Sequence, residues 1–305
     1  MEVSTMNMSR KNFIKTTALA GMGIAGMSAL SLPSETVLAQ SSTEPLIKGG
    51  PQLGQFEDDL SGFRKLDFGK PPIGVKFLFF RPEEMEQLDS SKNLSLCEMI
   101  VEAQEAKNPF YFSKENNETC VGKIILGMQD MESFAHSGQI GAKLKIFEEP
   151  RANYIFYQHV PKLERDVINY VAFSPIDKLT FKPDILIIST TIEKAEIIMR
   201  AMSYSTGEVF VSMTTPVMGC AWTYVYPYKT GKINYLAPRM VHGMTGRQLF
   251  PKDSMLISIP YHWIPIISSN LSKMEIHLSS HNSKEEYLAE FGNIIQELVI
   301  KSQQP

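Results

Sequence analysis

Ile185-Leu186-Ile187-Ile188-Ser189-Thr190-Thr191-Ile192-Glu193-Lys194-Ala195-Glu196-Ile197-Ile198-Met199-Arg200-Ala201-Met202-Ser203 joins an aliphatic run to a charged, alanine-bearing one. The first part, Ile185 to Ser189, predicts a buried strand, and Glu193 to Ser203 predicts a helix. Val209 to Met213 follows as a further strand, then a Thr-Pro turn, then Gly219-Cys220-Ala221-Trp222-Thr223-Tyr224. The order strand, helix, strand is the signature of an α/β chain.

The first half offers the same order. Ile73 to Phe79 predicts a strand, and Leu96 to Ala106 places Leu96, Met99, Ile100 and Ala103 at helical spacing. Phe110-Tyr111-Phe112 predicts a short strand, Asn116 to Thr119 a polar turn, and Cys120 to Gly127 the start of a second helix. The expected fold class is therefore α/β: a single domain with a mixed β-sheet and flanking helices. The two halves also lie over one another as degenerate βαβα-type repeats offset by about 100 to 110 residues. Identity between them is negligible, and any alternating chain can be laid over itself. If the repeat holds, a pseudo-two-fold brings Cys120 and Cys220 face to face.

Outside these elements, residues 1–39 read as an export signal, 40–55 as a polar linker and 56–303 as the single α/β domain. Ser9-Arg10-Lys11-Asn12-Phe13-Ile14-Lys15 resembles a twin-arginine signal, whose pattern is S-R-R-x-F-L-K. Lys11 stands for the second arginine and Ile14 for the leucine. Thr16 to Leu32 is uncharged and mildly apolar, with Gly21, Gly23 and Gly26, and Val37-Leu38-Ala39 offers a cleavage site after Ala39. An uncleaved N-terminal anchor is the alternative, and glycines weaken a spanning helix. The expectation is a prokaryotic protein exported to the periplasm or another extracytoplasmic space. It would be carried folded through transient contact with the export machinery, with no stable membrane span in the mature chain.

Hydrophobic residues make up 43% of the chain and charged ones 21%, the balance of a globular protein. The formal charge of -3, with no Lys/Arg run longer than two, excludes a concentrated basic face and hence a nucleic-acid partner. A small-molecule ligand or a redox partner is expected instead.

Cys97, Cys120 and Cys220 carry the chemistry. They have no C-x-x-C pair and match neither a zinc ribbon nor a ferredoxin run. Thiols at helix starts are stabilised as thiolates by the helix dipole and unpaired N–H groups. Three thiolates suffice for three irons of a four-iron four-sulfur cluster, leaving the fourth open to water or substrate, for redox or Lewis-acid work. The competing reading is a cofactor-free ligand-binding protein with a structural Cys97–Cys120 disulfide, closing a loop worth roughly 3 kcal/mol, and a leftover Cys220.

Pro71 to Phe77, Cys97 to Ala103, Phe110-Tyr111-Phe112, Cys120-Val121-Gly122 and Leu126-Gly127 resemble domain of unknown function family 169. Ala172 to Asp177, Phe181 to Ile187, Gly219-Cys220-Ala221 and Ile257 to Pro260 continue the likeness over nearly all of the mature chain. The resemblance implies a coherent fold and the placement of the cysteines, not a reaction. Arg239 to Arg247 stands where many relatives carry a Gly/Cys-rich segment ending in arginine, so ligand chemistry tied to that loop does not transfer.

Further candidates for a substrate pocket are Lys76, a lone charge in an apolar strand, Trp222 and Tyr224 beside Cys220, and His242 and Arg247 in a glycine-flanked loop. Each has a plainer role open to it: a strand-edge lysine reaching solvent, aromatic core packing, and an ordinary loop. His136 reads as a surface residue, and His262, His277 and His281 lack metal-ligand spacing. No H-E-x-x-H, G-x-S-x-G or P-loop motif is present, so no reaction is assigned.

Overall fold

The structure is a computed structural model that describes residues 59–116, 120–131, 136–241, 248–274 and 283–302. The expected export signal, residues 1–39, and the expected polar linker, residues 40–55, lie outside these residues. The chain divides into two units, Met1–Val37 and Leu38–Pro305, and every element below belongs to the second.

In chain order the elements are β1 (Ile73–Leu78), β2 (Glu86–Gln87), α1 (Glu98–Glu105), β3 (Phe110–Ser113), α2 (Val121–Ile125), α3 (Gln139–Lys143) and α4 (Pro150–His159). They continue with β4 (Tyr170–Pro175), β5 (Ile185–Thr191), α5 (Ile192–Ser203), a π-helical turn (Ala221–Val225) running into α6 (Tyr226–Thr230), and β6 (Asn234–Leu236). The last are α7 (Pro238–Val241), β7 (Ser254–Pro260), α8 (Ile264–Lys273) and α9 (Lys284–Ser302). Among the described residues no helix is long and apolar enough to cross a membrane.

The strands form one seven-stranded sheet in the order β2-β3-β4-β1-β5-β7-β6. β2 and β3 run parallel and the other pairs antiparallel, which makes the sheet mixed. The expected single α/β domain is the observed one. β1 lies at the centre, with Val75 opposite Phe173 of β4 on one side and Ile185 of β5 on the other.

Alternation along the strands sends successive side chains to opposite faces. Ile73, Val75, Phe77, Phe173, Ile185 and Ile187 enter one core, which is closed by Met99, Ile100 and Ala103 of α1, by Ile125 of α2, and by Ala221, Tyr224 and Val225. Leu186, Ile188, Ile257 and Ile259 enter the other, under Ala195, Ile198 and Ala201 of α5 and Ile267 and Leu271 of α8.

Two expectations are corrected here. Val209 to Met213 is not a strand. The side chain of Asn234, on the edge strand β6, donates to the Met213 carbonyl at 3.0 Å and accepts from the Met213 N–H at 2.8 Å. One side-chain amide thus takes the place of a backbone ladder. The internal repeat also fails, for a geometric reason. Antiparallel β1 and β5 can be exchanged only by a two-fold perpendicular to the sheet, which keeps each helix on its own face. The helices matched by the repeat, α1 and α5, pack on opposite faces.

Candidate thiol site

The site is built from three helix starts. In Ser95-Leu96-Cys97-Glu98 the Glu98 carboxylate accepts from the Ser95 N–H at 2.7 Å and from its hydroxyl at 2.6 Å, while the Glu98 N–H donates to the Ser95 carbonyl at 2.9 Å. The carboxylate reaching back to the Ser95 N–H is one half of a capping box, without the reciprocal N–H bond to the serine hydroxyl, and it fixes the turn that holds Cys97 at the head of α1.

Cys120 precedes α2 in extended conformation. Its sulfur accepts the Leu96 N–H at 3.3 Å, which ties the second cysteine to the turn of the first. Gly122 makes the approach possible. A Cβ there would stand 2.8 Å from Leu96 Cβ and 3.2 Å from the Cys120 sulfur. The helix stops at Gly127, whose φ of 70° brings its Cα so close to the Glu164 carbonyl that a Cβ would lie 2.1 Å from the oxygen.

Cys220 sits where the chain enters the π-helical turn. Met218, two residues earlier, has φ 61°, a left-handed conformation that costs about 1–2 kcal/mol outside glycine. The Ala221 N–H donates to the Met218 carbonyl at 3.0 Å and Thr223 Oγ1 to the Gly219 carbonyl at 2.9 Å, holding the bend. Asn234 Nδ2 satisfies the Trp222 carbonyl at 2.9 Å. π-Helical turns recur at functional sites because the extra residue re-aims side chains.

Tyr224, one helical turn after Cys220, closes the arrangement. Its hydroxyl donates to the Leu96 carbonyl at 3.0 Å. The backbone of Leu96 is therefore clamped at both ends, its N–H by Cys120 and its C=O by Tyr224, and the three cysteine-bearing segments form one unit.

The thiols act on one another directly. Cys97 donates its S–H to the Cys220 sulfur, and this bond is the largest cause both of the raised Cys97 pKa and of the lowered Cys220 pKa. Burial and the negative charge available to Cys220, Cys120 and Glu98 push the Cys97 thiol up further. The Cys220 sulfur is also favoured as a thiolate by the N–H groups of Ala221 and of Cys220 itself. Burial pushes the Cys120 thiol up, against the N–H groups of Leu96, Gly122 and Lys123. The Tyr224 hydroxyl is held well above its ordinary value by burial and by all three cysteines.

None of the three cysteines is in a disulfide. The Cys97–Cys120 disulfide expected under the cofactor-free reading is not formed, because Cys97 turns to Cys220 while the Cys120 sulfur faces the Leu96 N–H. Cys97 is partly exposed and the other two are buried. Among the described residues no three His, Cys, Asp or Glu side chains already stand as a metal-ligand set. The neighbouring thiols spend their contacts on each other and on backbone N–H groups.

The other candidates separate. Trp222 is buried beside the site, its indole N–H on Thr215 Oγ1 at 2.7 Å and its ring 5.7 Å from Tyr226. Lys76 lies between Val75 and Phe77, so alternation sends it to the sheet face away from the cysteines. It is buried rather than at a strand edge, and its ammonium donates to the Lys182 carbonyl at 3.1 Å. There it also offsets the burial that pushes the Asp184 carboxyl up. His242 and Arg247 lie outside the described residues. Sequence reasoning missed Leu96, Gly122, Met218 and Asn234. It also passed over Ser95 and Glu98, although their S-x-x-E spacing is a legible capping signal.

No curated protein and no solved structure matches the chain. Residues 64–270 match domain of unknown function family 169, described as an uncharacterised ArCR. The matched span holds the whole sheet, from β1 to β7, together with all three cysteines, and the chain belongs to this family.

Proposed function

We propose that this is an exported protein in which Cys97, Cys120 and Cys220 hold an iron–sulfur cluster with a redox or Lewis-acid role on a small molecule. The observation that carries the proposal is the convergence of three helix starts and three thiols, from positions far apart in sequence, around the backbone of Leu96. The donor set suits such a centre. Sulfur is the ligand type iron–sulfur clusters use, and N–H groups directed at the sulfurs are a known means of tuning them. Three neighbouring thiols, two of them buried, ionise together at high cost, and a multivalent cationic centre removes that cost by taking the protons' place.

When bound, a four-iron four-sulfur cluster supplies one iron without a protein ligand, able to polarise a small molecule or to carry an electron. The protein's own part would be to hold the sulfurs, shield Cys120 and Cys220 from water, and leave the Cys97 side accessible. Folded-state export suits a cofactor inserted before transport.

Anaerobic purification with iron supplied tests the assignment. Wild type is expected to carry iron and acid-labile sulfide, and Cys97→Ser, Cys120→Ser and Cys220→Ser each to lose most of both. Wild type without iron would defeat it.

A second reading, cofactor-free ligand binding, is favoured by a pocket of about 370 Å³ lined by Phe63, Leu66, Phe68, Pro71, Pro72 and Ile176. Under this reading the three serine variants carry no iron and bind small ligands as wild type does.

A further inference from the structure

We infer that Cys97 and Cys220 form a redox-active dithiol, which a hydroperoxide converts into an intramolecular disulfide while Cys120 stays a free thiol. Cys97 is the least enclosed residue of the three, so an oxidant approaches the pair from its side. Cys97 packs against the core cluster that holds Cys220 and is hydrogen-bonded to that cysteine. Cys120, the other candidate partner, is engaged by the Leu96 N–H at 3.3 Å and sits at the start of a different helix. Met218 in its left-handed conformation and the π-helical turn flank Cys220, so this helix start is the irregular one and the least costly to shift by the small amount a bond requires.

The steps balance. Within the singly ionised, hydrogen-bonded pair the Cys97 proton passes to the Cys220 sulfur, the Cys97 thiolate attacks one oxygen of hydrogen peroxide, the O–O bond breaks, and the departing hydroxide takes a proton from solvent as water. The Cys220 sulfur then attacks the sulfenic sulfur of Cys97, the S–O bond breaks, and the Cys220 proton leaves with that hydroxide as a second water. Two thiols are oxidised and one peroxide is reduced. Two external thiols restore the protein thiols by exchange and leave as their own disulfide. If the cluster assignment holds, the disulfide withdraws two of its three ligands, so oxidation and metal binding exclude one another; that consequence alone rests on the proposed function.

The test uses the full chain, reduced and metal-free, treated with limiting hydrogen peroxide, alkylated after denaturation and mapped by mass spectrometry without reductant. The expected result is a linked pair of peptides containing Cys97 and Cys220, an alkylated Cys120, and recovery of all three thiols with dithiothreitol. Cys120→Ser is expected to keep the linkage and Cys97→Ser to abolish it, leaving Cys220 alkylated. A Cys97–Cys120 linkage, a linkage between molecules, or overoxidised Cys97 beside alkylated Cys220 would overturn the inference. Because no metal is present, such a failure leaves the cluster assignment standing, and iron-free wild type leaves the dithiol standing.

Discussion

The two faces of the sheet are built differently. On one, α5 and α8 are regular helices, with Ala195, Ile198 and Ala201 and then Ile267 and Leu271 laid at helical spacing over Leu186, Ile188, Ile257 and Ile259. Two buried polar groups there are satisfied by specific partners: Asn270 Nδ2 donates to the Ala201 carbonyl at 2.8 Å, and Ser268 Oγ accepts the Gly62 N–H at 2.8 Å. On the other face the cover is short helix starts, a π-helical turn and a left-handed methionine, held by Glu98, Asn234 and Tyr224. Irregularity concentrates where the thiols are. The regular face supplies stability, and the irregular face spends some of it to bring three sulfurs together.

Truncation on the regular face should give the largest loss of stability. Ile198→Ala empties a fully buried site and is expected to cost about 2–5 kcal/mol in urea unfolding. Cysteine alkylation kinetics in the native protein should stay unchanged. Altered kinetics would show that the two faces are not separable in this way.

A pair of glycine variants sharpens the contrast. A Cβ at Gly62 would lie 1.9 Å from the Ser268 carbonyl oxygen, on the regular face, and one at Gly122 would press on Leu96 and Cys120. Both Gly62→Ala and Gly122→Ala are expected to cost about 1–3 kcal/mol. Only Gly122→Ala should also change the alkylation rate of Cys120 and lower iron uptake. Equal effects of the two on the thiols would break the comparison.

Tyr224→Phe is a smaller change with a more specific readout. It leaves the Leu96 carbonyl buried without its donor, at about 1–2 kcal/mol. Because Tyr224 acts through Leu96, iron content should fall less than in the serine variants while the absorption spectrum of the bound centre shifts. An unshifted spectrum would limit Tyr224 to packing.

The smallest effect is on pH dependence. The Tyr224 hydroxyl is raised well above its ordinary value of 10.0 in the folded state. Its contribution is therefore complete below that value and is lost as the pH rises beyond it, since only the unfolded chain ionises readily there. Burial raises Tyr228 and Tyr261 in the same sense. The urea midpoint should fall on the alkaline side, and Tyr224→Phe should flatten the fall without removing it.

What was legible in the chain follows the same division. β1, β5, α1 and α5 announce themselves because their patterns are local, repeated within a few residues. The meeting of Cys97, Cys120 and Cys220 is not local. It depends on β1 lying between β4 and β5, a pairing that no spacing of cysteines records. Val209 to Met213 has a strand's composition, yet its Met213 backbone is bonded to the side chain of Asn234, 21 residues away, instead of to a neighbouring strand. Lys76 illustrates a step that was available: in a strand, its neighbours Val75 and Phe77 already mark the opposite face. α9 escaped notice altogether. Its Leu288, Phe291, Ile295 and Leu298 lie at helical spacing, yet they remain exposed and so contribute nothing to the core.

The most direct measurement is a crystal structure of the full chain reconstituted anaerobically with iron and sulfide, with anomalous scattering data collected at the iron edge. The account expects an iron peak bounded by the sulfurs of Cys97, Cys120 and Cys220, with the Cys97–Cys220 hydrogen bond opened. Iron bound elsewhere, or three thiols still in contact with no iron between them, would contradict it.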